Sequence, residues 1–196
     1  PMFFGERIVG YIGNTAHKPD LGGKVPGTNA GDATDLFQEG LLIPPMRILR
    51  RGELMADLQA VICANTRTPE VTWGDINAQI NTNSYGLTRF AELFTKYGAD
   101  KVLACWREWM DICERELRKE IAKVPDGLYG PETDYLDDDG IDLEKSYRIS
   151  ASLEVKGDVL RFILDSDAQA RGPINLRPCV SRNFIQCLVK MVFIPN

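Results

Sequence analysis

The chain has 196 residues, of which 44% are hydrophobic and 26% are charged, and its formal net charge is -5 at pH 7. This length can bury a substantial core, and the composition is that of an ordinary soluble globular protein. The negative charge argues against a nucleic acid or an anionic membrane surface as the main partner. No apolar run in the sequence is long enough to span a membrane.

The ends of the sequence bear on whether it belongs to a larger protein, and the cysteines bear on its cellular compartment. The start, PMFFGERIVGYIG, has none of the features of a secretory leader, and the final KMVFIPN is largely apolar up to the end. We therefore expect both ends to be cut from a larger protein. The cysteines form no CxxC pair and lie in apolar sequence surroundings, where a free thiol behaves as a small hydrophobe; they are Cys63, Cys105, Cys113, Cys179 and Cys187. This pattern predicts a reducing, cytoplasmic compartment.

Residues 1–52 are predicted to form a β-rich start followed by a long loop segment. Residues 6–13 have strand propensity, and residues 14–52 are rich in glycine and proline. A long irregular stretch inside a compact protein is usually functional or disordered. Its apolar residues, such as Leu36, Phe37 and Leu41, argue against disorder.

Residues 53–123 are predicted to be helical. The first helix begins near Glu53, with Leu54, Leu58, Val61 and Ile62 on one face. A break at Thr68-Pro69 precedes a second helix that ends at Gly98. A third helix begins near Asp100 and carries the apolar stripe Val102, Trp106, Met110, Cys113, Leu117 and Ile121. The short joint at Gly98 predicts that the last two helices pack as an antiparallel hairpin over residues 75–123.

Residues 124–196 are predicted to form a β-hairpin and a closing helix. Tyr147 to Val155 alternate between apolar and polar residues, which indicates a half-buried strand. Lys156-Gly157-Asp158 favours a tight turn before a return strand over 159–164. An amphipathic helix is predicted over 178–193, and the stretch PDGLYGPETDYLDDDG is interpreted as a turn. The fold class that follows is α+β.

The only histidine, His17, is the first candidate for chemistry. Asp20 follows it by three positions, on a predicted turn before a double glycine. Imidazole and carboxylate both suit a divalent cation, but zinc requires at least three protein ligands. The residues themselves leave two interpretations open: part of a metal site, or a turn histidine capped by Asp20.

Other polar groups give weaker signals. Glu39 is a candidate third carboxylate or hydrogen-bond partner of the histidine, and the alternative is a capping or surface glutamate beside Gly40. The run from Asp137 to Asp139 does not fit the register of a calcium-binding EF-hand loop, and it favours a solvated acidic turn. The glycines Gly22, Gly23 and Gly27 match no phosphate-binding pattern, so no nucleotide site is predicted in this chain. Without a GxSxG motif or a second histidine, a self-contained serine or cysteine hydrolase is excluded.

Long stretches of the sequence resemble the hydantoinase B/oxoprolinase family. They are GNTAHKPDLGGKVPGTNAGDATDLFQEGLLIPPMRI, DLQAVICANTRTPEVTWGDINAQI, PDGLYGPETDYLDDDG and the GPIN that begins at Gly172. These stretches follow in order and cover nearly the whole chain. Since members of the family are much longer, the resemblance implies an internal segment of a multi-domain B-type subunit.

The resemblance also implies an activity. Such B-type subunits pair with an A-type subunit that binds ATP with magnesium, so a hetero-oligomer acting on a small-molecule substrate is expected. Together the two subunits open cyclic amides such as hydantoins, 5-oxoproline or lactams, and close relatives carboxylate ketones such as acetone and acetophenone. A third possibility is that this segment has a structural role only. The isolated chain is expected to be inactive.

Finally, the resemblance implies roles for individual residues. The family's zinc or manganese site uses a His/Asp motif that would lie before Pro1, together with the histidine that corresponds to His17. Asp20 would be a further ligand or a carboxylate that fixes the imidazole tautomer. Gly22 and Gly23, with Glu39, would then belong to the wall of a substrate pocket, since glycine permits close backbone approach. A tight solvent-exposed loop is the alternative for each glycine.

Overall fold

The computed structural model describes residues 1–194. The chain forms two units, Pro1–Ala104 and Cys105–Asn196, and one long helix runs through the boundary between them. Helices and strands are both well represented, which confirms the predicted α+β class. No helix in the described part of the chain is long and apolar enough to cross a membrane.

The first unit begins with two small antiparallel strand pairs that flank the long loop segment. Strands β1 (Met2–Phe4) and β2 (Arg7–Gly10) form one pair. A short helix α1 (Leu36–Glu39) interrupts the loop, and β3 (Leu49–Arg50) and β4 (Glu53–Leu54) form the second pair. Helices α2 (Ala56–Ala64) and α3 (Pro69–Tyr97) follow, and α4 (Ala99–Ile121) starts in this unit.

Helix α3 organises the core of the first unit. It begins with Pro69, whose fixed φ and missing N–H suit the first turn of a helix. It ends where Gly98 takes a φ of 83° and donates its N–H to the Phe94 carbonyl. The Phe94 side chain is only 1% exposed, and its ring lies edge-on to that of Phe4, with centroids 5.8 Å apart. Helix α2 and strand β1 both pack against α3.

The second unit contains a three-stranded antiparallel sheet in the order β5-β6-β7. These strands are β5 (Gly127–Leu136), β6 (Tyr147–Lys156) and β7 (Val159–Ser166), followed by α5 (Pro178–Phe193). The central strand β6 is the one that carries buried side chains, namely Tyr147, Ser150 and Val155. The predicted hairpin between β6 and β7 and the predicted closing helix are confirmed.

The structure corrects the predicted start of the first helix. Glu53 and Leu54 pair with β3 across a tight turn in which Arg51 and Gly52 both have positive φ. The helix therefore begins only at Ala56. Leu54 is 39% exposed and Val61 51% exposed, so the buried side chains of this stretch are Leu58 and Ile62 alone.

One further prediction about the helices needs correction. Met110 and Cys113 are exposed, so the predicted apolar stripe of α4 is not covered along its whole length. The predicted antiparallel packing of α3 with α4 stays a prediction, because most of α4 lies in the second unit.

The stretch interpreted as a turn is largely strand β5, and every residue of that strand is exposed. Its composition hides it, because Gly130 and Pro131 stand in the middle and no apolar alternation is present. Proline is tolerated at a sheet edge, and the pairing with β6 is irregular between Tyr129 and Glu132.

Candidate functional site

The segment that carries His17 leaves β2 as irregular chain, and the His17 side chain is exposed. Asp20, three residues later, is 3% exposed. The two predicted metal ligands therefore lie in opposite environments: an accessible imidazole and a buried carboxylate.

The Asp20 carboxylate is surrounded by hydrogen-bond donors. Its oxygens accept from the N–H groups of Gly22 and Gly27 at 3.1 Å, from the N–H and guanidinium of Arg67 at 2.8 Å, and from the Thr66 hydroxyl at 3.1 Å. A carboxylate offers about four lone-pair positions, so these donors use its whole capacity. Asp20 thus ties the start of the glycine-rich loop to the junction between α2 and α3.

The predicted partnership of Asp20 with His17 is not found, since no hydrogen bond of the described Asp20 carboxylate goes to the imidazole. The reason is that donors of Gly22, Gly27, Thr66 and Arg67 already occupy the acceptor positions of the carboxylate. The hydrogen bond from the Arg67 N–H, reinforced by that from the Gly22 N–H, holds the pKa of Asp20 well below its usual value despite burial. The carboxylate is therefore ionised and occupied, and it fits the role of a structural anchor better than that of a metal ligand.

Arg67 is the partner that the sequence did not reveal. Its guanidinium donates to the Asp20 carboxylate and to the carbonyl oxygens of Gly22 at 3.2 Å, Val25 at 3.1 Å and Gly23 at 2.7 Å. The planar fork of donors suits several acceptors at once, which an ammonium group on a flexible stem would not match. Arg67 thereby fixes the backbone of the glycine-rich loop.

Gly22 and Gly23 line an open hollow of about 280 Å³, as the prediction of a pocket wall would require. The loop's own packing already explains why these positions are glycine. Both have φ near 80°, and a Cβ at Gly22 would lie 2.5 Å from the Asn65 carbonyl oxygen. A Cβ at Gly23 would lie 2.6 Å from the carbonyl oxygen of Gln38. Their contact with a substrate stays a prediction.

The hollow offers little chemistry of its own, because none of its lining residues has a titratable side chain. Its walls are apolar side chains, backbone and one amide, formed by Leu21, Phe37, Leu41, Leu42 and Asn65 beside the glycines. Glu39 is exposed and is not part of the lining. Its predicted place in the substrate pocket therefore has no support from this hollow.

A divalent metal needs more ligands than this part of the protein brings together. In residues 1–194, no group of three His, Cys, Asp or Glu side chains is placed to hold a metal ion. A protein zinc site needs at least three such ligands. The ligand roles of the exposed His17 and of the buried, fully hydrogen-bonded Asp20 both stay predictions.

Among the described residues, Asp139 is a second buried carboxylate and is 1% exposed. The sequence predicted a solvated acidic turn, and for this residue the prediction is wrong. Its oxygens accept hydrogen bonds from the N–H groups of Ile141 and Asp142 at 3.0 and 2.8 Å, and from the Tyr147 hydroxyl at 2.8 Å. Its neighbour Asp137 is exposed, so one run of three aspartates contains a surface residue and a core residue.

Comparison with known proteins identifies a family and several similar sequences. The sequence model of the hydantoinase B/oxoprolinase family matches residues 1–196. The chain is 34% identical to the beta subunit of the caprolactamase of Pseudomonas jessenii, over 89% of this chain and 30% of the relative. It is also 34% identical to the B-type subunit of a putative D-/L-hydantoinase of a Pseudomonas species, over 90% of this chain and 31% of the relative.

Two more similarities point in the same direction. The chain is 29% identical to the delta subunit of the acetophenone carboxylase of Aromatoleum aromaticum, over 91% of this chain and 26% of the relative. Its fold matches the crystal structure of the ATP-dependent caprolactamase from Pseudomonas jessenii with a TM-score of 0.80 and 33% identity. That match covers 88% of this chain and 29% of the solved one. The chain therefore spans less than a third of the length of these relatives.

Proposed function

Because the chain belongs to the hydantoinase B/oxoprolinase family, we propose that it is part of the B-type subunit of an ATP-dependent enzyme that opens cyclic amides such as hydantoins, 5-oxoproline or lactams. The observation that carries the proposal is the likeness to the ATP-dependent caprolactamase, at a TM-score of 0.80 and 33% identity over 88% of the chain. Identity at this level over nearly the whole chain supports a common fold together with related chemistry.

The proposed enzyme is a hetero-oligomer. The similar proteins are named as beta, B-type and delta subunits, which supports a multi-subunit assembly. The hollow in this chain lacks titratable side chains. We therefore assign ATP and magnesium to an A-type partner, and the reacting groups to the complete assembly acting on a small-molecule substrate. Nucleic acid and membrane partners are not part of this proposal, and we place the enzyme in the reducing cytoplasm, since the described cysteines are all free thiols.

The metal is proposed as zinc or manganese, with His17 as the ligand that this chain supplies. The exposed imidazole supports that role, and the remaining ligands would come from outside the chain, since residues 1–194 hold no group of three. When bound, such a metal polarises a substrate oxygen as a Lewis acid. In this proposal, the role of this chain is to present the His17 imidazole to the metal.

An ATP-dependent ketone carboxylase is the second candidate. The 29% identity to the delta subunit of an acetophenone carboxylase favours it specifically. A purely structural role is a further alternative for this segment taken alone, and the lack of a three-ligand cluster among its described residues is consistent with it.

The test uses the complete subunit, purified together with its ATP-binding partner. ATP turnover is measured with hydantoin, 5-oxoproline or caprolactam, and separately with acetone or acetophenone plus bicarbonate. Turnover that depends on a cyclic amide and yields the ring-opened acid supports the proposal. Turnover only with a ketone and bicarbonate replaces it with the carboxylase, and turnover with neither substrate class contradicts both.

The same material tests the metal ligand. We expect a His17→Ala variant to lose most of its zinc or manganese, while Thr15→Ala, a change at a neighbouring exposed residue, retains it. Equal metal content in the two variants would exclude His17 as a ligand.

A further inference from the structure

Gln79 of helix α3 binds the segment that carries His17 at a residue on each side of the histidine. The Gln79 Nε2 donates to Asn14 Oδ1 at 2.6 Å, and its Oε1 accepts from the Lys18 ammonium at 2.5 Å. The Gln79 main-chain carbonyl also accepts from Asn14 Nδ2 at 3.0 Å. A single helical residue therefore holds the chain on both sides of His17.

Asn83, one turn along the helix, extends this attachment. Its Oδ1 accepts a second hydrogen bond from Asn14 Nδ2, at 2.8 Å. Residues four positions apart lie on the same helix face, so Gln79 and Asn83 form one polar platform. The donors and acceptors of the Asn14 amide are matched to this platform, which fixes the direction in which its side chain points.

The attachment continues beyond both ends of the platform. At Gly86 the helix comes close to the Ile12 side chain, since a Cβ there would lie 3.1 Å from Ile12 Cδ1. At Thr72, which is fully buried, the hydroxyl donates to the Asp20 carbonyl oxygen at 3.0 Å. Positions 72, 79 and 86 repeat every seven residues and so share one side of the helix. Residues 12–20 thus run along that side, antiparallel to α3.

We propose that Gln79 is a positioning residue for His17. The inference rests on the proposed role of His17 as a metal ligand. An exposed imidazole on a free loop would lose considerable conformational entropy on coordination. Attachment of the chain at Asn14 and Lys18 removes much of that freedom beforehand, so the imidazole is presented from a fixed backbone.

The amide of Gln79 is well suited to this role because it offers a donor and an acceptor at once. Asn14 Oδ1 requires the donor and the Lys18 ammonium requires the acceptor. A glutamate at this position would keep the contact with Lys18 and strengthen it by charge, but it would lose the donor for Asn14. An alanine would lose both contacts.

The experiment compares Gln79→Ala with Asn81→Ala in the complete subunit. Asn81 lies on the same helix with an exposed side chain, so its change removes a similar amide without touching the segment. The primary measurement is the affinity for zinc and manganese, by competition with a chelator of known affinity. The second is amide hydrogen exchange of residues 14–18, which reports the attachment without any metal.

We expect Gln79→Ala to weaken metal binding about 10–100-fold and to speed exchange across residues 14–18, while Asn81→Ala changes neither. Gln79→Glu should fall between Gln79→Ala and the wild type, and it replaces Gln79→Ala if that variant does not fold. If His17→Ala leaves metal binding intact, the proposed metal role fails. If His17→Ala abolishes binding but both Gln79 variants bind as tightly as Asn81→Ala, the positioning role alone is overturned.

Discussion

The carbonyl oxygen of Asp139 occupies the place where a side chain at Gly172 would begin. The same aspartate accepts the Gly172 N–H at 3.0 Å through its carboxylate, which also accepts the Arg171 N–H at 3.1 Å. Backbone and side chain of one residue therefore hold the loop before α5 from two directions. The close approach is possible only because position 172 has no Cβ.

The first prediction concerns this close approach. Gly172→Ala should destabilise the protein by about 3 kcal/mol or more, because the new methyl group overlaps a main-chain atom that cannot rotate away. Thermal unfolding measures the effect. Gly31→Ala is the matched control, since a Cβ at Gly31 meets no atom within 4 Å. Equal melting temperatures for the two variants would contradict the described contact.

The second prediction separates two neighbouring aspartates. Asp139→Asn should lower the melting temperature by roughly 5 °C or more, because an amide N–H₂ would replace an acceptor that faces donors such as the Tyr147 hydroxyl and the Gly172 N–H. Asp137→Asn, at an exposed position, should leave the melting temperature within about 1 °C. A similar loss in both variants would mean that charge in the acidic run matters more than these hydrogen bonds.

The contrast between Asp139 and its neighbours shows what the sequence could predict. Hydrophobic periodicity gave helix α5 and the β6-β7 hairpin with accurate bounds, because those patterns are local. The burial of Asp139 depends on Gly172, 33 positions away, and no local pattern reports that contact. Edge strand β5 was missed for the related reason that an exposed strand has no apolar alternation to detect.

The candidate site likewise contains one residue that the sequence could indicate and one that only the fold reveals. His17 was a candidate as the only histidine of the sequence, and resemblance to a family, whose membership is confirmed, implied its role as a metal ligand. The hydrogen bonds that surround the nearby carboxylate come from Arg67, 47 positions from Asp20. In the sequence Arg67 is one of many basic residues, and its function becomes evident only when the fold brings the carbonyl oxygens of the glycine-rich loop to its guanidinium.

The third prediction concerns pH. Hydrogen bonds from the Asp142 N–H and the Tyr147 hydroxyl hold the pKa of Asp139 below its usual value of 3.8. A carboxylate with a lowered pKa stabilises the fold above the unfolded pKa, and this stabilisation is lost as pH falls through the folded value. The difference in stability between the wild type and Asp139→Asn should therefore shrink as the pH is lowered from about 5 to about 2. Denaturant titrations at each pH measure this difference, and a constant gap would contradict the explanation.

The fourth prediction tests the guanidinium of Arg67. Arg67→Lys keeps the positive charge but cannot reach the carbonyl oxygens of Gly22, Gly23 and Val25 together. We expect a melting temperature lower by about 2–4 °C and faster amide exchange over residues 22–27. Arg47→Lys, at an exposed position of the same unit, serves as the control. Unchanged exchange in Arg67→Lys would show that charge alone holds the loop.

The last prediction decides what Asp20 does. If its carboxylate is an anchor, Asp20→Asn must lose stability, because an amide N–H₂ would face the Arg67 donors and the N–H groups of Gly22 and Gly27. The folded fraction should then retain zinc or manganese at nearly the wild-type affinity, whereas His17→Ala should lose the metal with little change in stability. If Asp20 is instead a ligand, Asp20→Asn should lower metal affinity as strongly as His17→Ala does. Metal titration and thermal unfolding on the same preparations separate the two outcomes. An anchoring carboxylate predicts that Asp20→Asn loses stability but keeps its metal affinity, whereas His17→Ala loses metal affinity but keeps its stability.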